Sequence, residues 1–227
     1  MLAGSPLRNL VILPLNVAAV MPPELLAASP AVWAELEVYL RAQGKELKTV
    51  SFRDARRLWV ESIREAREVN AHAGYEDASR LLVGKLATHA SFDAVIAPSL
   101  YLREARIAER SAQWDGVKRP LEIEVPGKLP AGVPLEGAAP AASLHVVVLD
   151  AQGNQIHEAI GGLELLVAVR VLSKRDIAQQ TEAEWRSDTI SLQFVTRTDL
   201  FASREQLHEG IALALAPFLP PIPPPRD

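Results

Sequence analysis

The sequence predicts an α/β protein, a single domain with a mixed β-sheet flanked by helices, and three observations carry that prediction. Three short apolar runs, Asn9-Leu-Val-Ile-Leu-Pro14, Asp93-Ala-Val-Ile-Ala-Pro98 and Ser143-Leu-His-Val-Val-Val-Leu-Asp150, join β-branched and aliphatic residues to Pro, Asp or Ser at their ends. Runs of this kind read as strands buried on both faces. Between the first two, apolar residues recur at the helical period, and alternation of the two periods builds a sheet with helices packed on it. Finally, 227 residues, 48% of them hydrophobic, supply enough apolar side chain for one sizeable core.

The first strand is expected over 10–15. Pro22-Pro23 and Pro30 bracket a turn-rich lead into a helix over 31–43, where Trp33, Leu36 and Leu40 share a face and Gly44 stands at the C-terminal cap. A short strand follows over 47–52. Ser51 then precedes Asp54 as the cap of a helix over 53–69, which carries Ala55, Trp59, Ile63 and Ala66 on one face and charged residues elsewhere. A third helix over 75–90 shows Ala78, Leu82, Leu86 and His89. The central strand, 93–102, runs on through alternating residues to Ile107, and 113–125 is extended around a Trp114-Asp115-Gly116 turn. Residues 126–142, with four prolines and three glycines, read as an inserted surface loop. A hairpin pairs 143–150 with 155–160, with Gly153 and Asn154 supplying positive φ. Gly161-Gly162 marks a close backbone approach or a bulge. The period-two valines 167, 169 and 171 favour a strand across 163–171, 173–188 is weakly helical, and Ile190, Leu192 and Phe194 alternate as another strand. Ser203 and Gln206 cap a last helix over 203–216 with Leu207, Ile211 and Leu215 as its buried stripe. The domain therefore spans 1–216, and a proline-rich tail over 217–227 can join neither helix nor central strand.

Charge narrows the function classes. Basic and acidic residues number 24 and 28, a balance that gives no basic excess for nucleic acid. No cysteine is present, which removes disulfides, thiol nucleophiles and Cys-ligated zinc. No segment approaches the roughly 18 apolar residues of a membrane span. The start, Met1-Leu-Ala-Gly-Ser-Pro6, has no basic-then-apolar leader. Leu2-Ala3-Gly4 looks like the residues before the lipid-bearing cysteine of a bacterial lipoprotein, with Ser5 in its place; a coincidence of three common residues stands beside that reading. The histidines at 72, 89, 145, 157 and 208 form no HxH, HxxxH or HExxH pattern, and His145 and His157, facing across the hairpin, read as structural. GxSxG, phosphate-loop and GxGxxG motifs are absent as well. The expectation is a non-enzymatic chain without metal or cofactor. Two candidate sites remain. Trp114, Asp115, Lys118 and Arg119 join an aromatic, a tight turn and two cations, a composition suited to a protein-binding patch; an indole packed beneath its own turn is the competing account. Pro14 and Pro98 mark strand C-terminal ends, where open α/β sheets hold ligands, so Asn16, Ser99 and Tyr101 are candidates for a small-molecule or enzymatic site; simple strand termination is the alternative.

The order of elements resembles a known family. A strand ending Ile12-Leu-Pro-Leu15, a helix, a short strand, two helices, Asp93-Ala-Val-Ile-Ala97, a hairpin around Asp150-Ala-Gln-Gly153 and a final helix look like the periplasmic domain shared by the N-terminal part of TolB and the curli secretion lipoprotein CsgG. The likeness spans most of 9–216 and is one of element order, not of invariant residues. The insertion at 126–142 and the segment 163–200 depart from it, as does the absence of propeller repeats and of barrel-forming hairpins. The resemblance implies a bacterial envelope lipoprotein, anchored at the outer membrane through a lipid and lying in the periplasm, that binds an envelope protein or itself. A cytoplasmic location is the alternative.

Overall fold

The computed structural model describes residues 7–124, 136–172 and 191–224. The first apolar run forms β1 (Asn9–Ile12). A short α1 (Pro23–Leu26) and α2 (Ser29–Ala42) lead to β2 (Glu46–Thr49), which pairs parallel to β1. Helices α3 (Phe52–Val69) and α4 (Tyr75–Ala87) precede β3 (Ala94–Ala108), parallel to β1 on its other edge. The hairpin β4 (Ser111–Trp114) and β5 (Val117–Pro120) is followed by β6 (Ile123–Glu124). Then come β7 (Glu136–Asp150), β8 (Gln155–Leu165), β9 (Val167–Leu172), β10 (Ser191–Thr196) and α5 (Arg204–Leu215). Seven strands form a mixed sheet, β2-β1-β3-β4-β5, with β7 on the other edge of β3 and β8 beyond it; β10-β9-β6 form a smaller sheet. The fold class is the one the apolar periods predict. No helix among the described residues is long and apolar enough to cross a membrane.

Period two assigns the two faces. Leu10, Ile12, Ile96, Leu144, Val146 and Val148 pack against Leu36 and Leu40 of α2 and Leu207, Ile211 and Leu215 of α5. Val11, Leu13, Val95, Val147 and Leu149 pack against Trp59 of α3 and Leu82 and Leu86 of α4. Both faces of the central strands are thus covered, which is why their sequences are continuously apolar.

Three expectations change. Pro98 does not end its strand, because β3 continues for 15 residues to Ala108. Its carbonyl faces the β1 edge, where it accepts from Asn16 N at 3.0 Å. The imide nitrogen faces the same side, beyond the end of β1, so no ladder bond is lost. Residues 136–142 are strand, not loop: β7 pairs with β3 from Glu136 onward, and small Ala138, Ala139, Ala141 and Ala142 suit a ladder crowded on both sides. In the 150–155 turn only Gly153 takes positive φ, while Asp150 Oδ1 accepts from Gln152 N and Asn154 N. The lipoprotein-like residues 2–5, the rest of the expected loop (126–135), the expected weak helix 173–188, Ile190 and residues 225–227 lie outside the described residues.

β3 and β7 are each 15 residues long, about 50 Å. Helices α3 and α4 cover only the half nearer β1, ending over Ala97, Val147 and Leu149. The far half curls instead, so that Gly162 N of β8 donates to Asp115 O of the β4–β5 turn at 2.9 Å and a third cluster forms around Ile107, Trp114, Val117 and Leu165. Where the helical cover stops and the curl has not begun, the sheet face lies open.

Candidate functional site

That opening is a cleft of about 290 Å³, floored by Leu13, Ala97 and Val147 and walled by α3, α4 and β8. Its size lies at the small end of ligand sites. Each wall follows from local sequence. Trp59 projects from the apolar stripe of α3, and Tyr75 begins α4 immediately after Gly74, whose N–H donates to Asp77 Oδ2 at 3.2 Å. Tyr75, Ser79 and Leu82 stand at i, i+4 and i+7 and face the cleft together. On the sheet, Ser99 pairs directly with His145, and Tyr101 lies one diagonal step away.

The polar groups converge at the mouth. His145 Nε2 lies 2.9 Å from Glu158 Oε1, and Gln155 Nε2 donates to Glu158 Oε2 at 2.7 Å. The bond from His145, then that from Gln155, hold the Glu158 carboxyl below the usual carboxylate range, against a smaller opposing effect of burial. An ionised carboxylate only accepts, so His145 carries its proton on Nε2. Tyr101 stands edge-on to His145 with ring centroids 5.7 Å apart, and Trp59 tilts against Tyr75 at 5.4 Å. Burial pushes the Tyr75 phenol above its ordinary value against the opposing hydrogen bond with Ser79, and Tyr101 and Glu158 add smaller rises. Ser79 is 1% exposed, and its Oγ lies beside the Tyr75 phenol, with which it interacts.

Of the three strand-end candidates, Ser99 and Tyr101 line this cleft. Asn16 does something else. It is 2% exposed, its Oδ1 accepts from Leu100 N at 2.8 Å, and its Nδ2 donates to Leu100 O at 3.0 Å. Its amide thus continues the ladder where β1 has ended, and φ of 59° suits asparagine.

The Trp114 patch is corrected by the fold. Trp114 is 6% exposed and its Nε1 donates to Ala142 O at 3.2 Å, so the indole is a core side chain. Asp115 and Gly116 both take positive φ, forming a tight two-residue turn that folds the ring under it. The Asp115 carboxylate is occupied by Arg103 at 2.9 Å and Ser143 Oγ at 2.6 Å. Arg119 is buried against Glu209 of α5; of the four, only Lys118 stands in solvent. His145 and His157 do not pair: His157 Nε2 lies 2.9 Å from Ala214 O and stacks on Phe218.

Trp59, Tyr75, Ser79 and Glu158 are the lining groups that the sequence reading passed over. Trp59 is indistinguishable from core on its helix stripe, whereas His145 inside Leu144-His-Val-Val-Val148 was a visible signal, a polar residue in an apolar run. Among the described residues no group of three or more metal-ligating side chains converges. No protein-family model matches the chain, and no curated protein matches it.

Proposed function

We propose that this chain is a non-catalytic binding domain that holds a small molecule in the cleft between α3, α4 and the β1–β3–β7–β8 face. The observation that carries this is the convergence of the buried Ser79 hydroxyl, three aromatic rings and the His145–Glu158 pair in one concavity. Binding is favoured over turnover because His145 Nε2 is tied to Glu158, and no hydrogen bond joins either serine of the cleft to that imidazole. A fragment screen by ligand-observed NMR tests the proposal. Hits should be lost in Ala97→Phe, whose ring fills the floor, while the thermal midpoint stays within a few degrees. Hits that bind the variant as well as the parent lie elsewhere and would overturn it.

An assembly function in the bacterial envelope is the second reading, supported by the likeness to the TolB and CsgG domains and by a separate apolar groove. Leu15, Met21, Trp33 and Phe52 line that groove, where Leu26 and Phe52 are 63% and 56% exposed. Exposed apolar patches of this kind mark protein contacts. Its partner would be an envelope protein or a second copy. Sedimentation of the parent against a Leu26→Ser, Phe52→Ser variant separates self-association from a monomer.

A further inference from the structure

We infer that the ligand of the cleft is a small organic cation, an ammonium or quaternary ammonium head on a short apolar body. The inference rests on the cleft being a binding site. Trp59, Tyr75 and Tyr101 line it, and aromatic faces present negative potential to a cation. Glu158 adds the formal negative charge at the mouth, half exposed and ionised, with lone pairs beyond those used by His145 and Gln155.

Among the described residues no lysine or arginine lines the cleft to receive an anion. Arg80 borders the adjoining recess beside Tyr75 and Gln155, and there it pairs with Glu76 and Asp77. Arg56 is bonded to the Val17 carbonyl. A phosphate or carboxylate ligand would therefore meet the Glu158 carboxylate and three aromatic rings, with the lining imidazole, His145, already bonded to Glu158. A neutral apolar ligand would leave the Glu158 carboxylate unused. An ammonium head answers the rings and the carboxylate together.

The test compares choline with its neutral isostere, 3,3-dimethyl-1-butanol, which differs in one quaternary atom and its charge. Each is titrated into the whole chain while the tryptophan indole N–H signals are followed by NMR. Choline should move the Trp59 signal and bind about tenfold more tightly than the alcohol. Glu158→Gln and Tyr101→Leu, both at the rim, should each weaken choline about fivefold and the alcohol far less, so that the preference for choline falls. An alcohol that binds as tightly as choline overturns the cation and leaves the cleft a ligand site. If choline moves no Trp59 signal up to about 20 mM, weaker than the millimolar scale of minimal recognition, the cation inference fails. The fragment screen with Ala97→Phe then decides separately whether the cleft binds anything.

Discussion

Asn16 and Trp114 show how single side chains hold the frame of the cleft. Replacing Asn16 by Gly keeps the left-handed backbone but strands Leu100 N and O, an expected loss of about 1–3 kcal/mol. Asn16→Ala adds strain at φ of 59° and should be worse by roughly a further 1 kcal/mol. Urea unfolding of the two variants checks the order. Trp114→Ala removes a buried ring and should cost about 3–5 kcal/mol, read as a large fall in thermal midpoint. A variant as stable as the parent would return Trp114 to the surface. Asp93 gives a pH signature: its Oδ2 accepts from Arg8 N and Asn9 N, each at 2.8 Å. The Asn9 bond, then the Arg8 bond, lower its pKa, so its stabilisation is present above the unfolded value near pH ~3.9 and is lost as pH falls through the folded one. Asp93→Asn should accordingly flatten the acid limb of the urea midpoint against pH. At this scale the sequence was legible where a residue acts on its neighbours, as Ser51 does in accepting from Asp54 N. It was opaque where the partner lies far along the chain, as Leu100 does from Asn16.

The elements depend on one crossing of backbones. A Cβ on Gly161 would stand 2.0 Å from Gly210 O of α5, and a Cβ on Gly210 would stand 2.4 Å from Gly162 O. β8 and α5 therefore touch main chain to main chain. Gly210→Ala sets two effects against each other: a gain of about 1 kcal/mol in helix propensity and an overlap with rigid backbone costing about 1–3 kcal/mol or more. The overlap should win, lowering the thermal midpoint; a rise would show that α5 can shift outward at little cost. Gly161-Gly162 announced this contact, and the bulge beside it appears where Ala142 pairs with Glu164 and Ser143 with Gly162. The apolar runs likewise announced the core of every central strand, because two-sided burial removes polar residues from both phases of the alternation. The far half of β7 was harder. The far half of β3 showed its alternation to Ile107, but alanine, glycine and proline from 136 to 142 resemble a loop in composition, and only their pairing with β3 makes them strand.

For the whole molecule, the decisive fact is a mismatch of lengths. Strands of 15 residues outrun the helices that cover one face, and the exposed remainder lies between helical cover and curled sheet. Ser99 and Tyr101, singled out in the sequence as strand-end residues, lie within β3 and line the cleft; its walls were not legible, since Trp59, Ser79 and Glu158 meet only through the packing of α3 and α4 and the register of β8. The chain's 4 tryptophans supply built-in reporters of this geometry. Trp59 lines the cleft, Trp33 lines the separate apolar groove, and Trp114 is sealed in the third cluster. Indole ¹⁵N–¹H spectra, assigned with single Trp→Phe variants and recorded as a fragment hit is titrated in, test the central claim most directly. The account predicts that the Trp59 signal moves with ligand while Trp33 and Trp114 stay fixed. Movement of Trp33 alone, with Trp59 unmoved, would contradict it and place binding on the assembly groove instead.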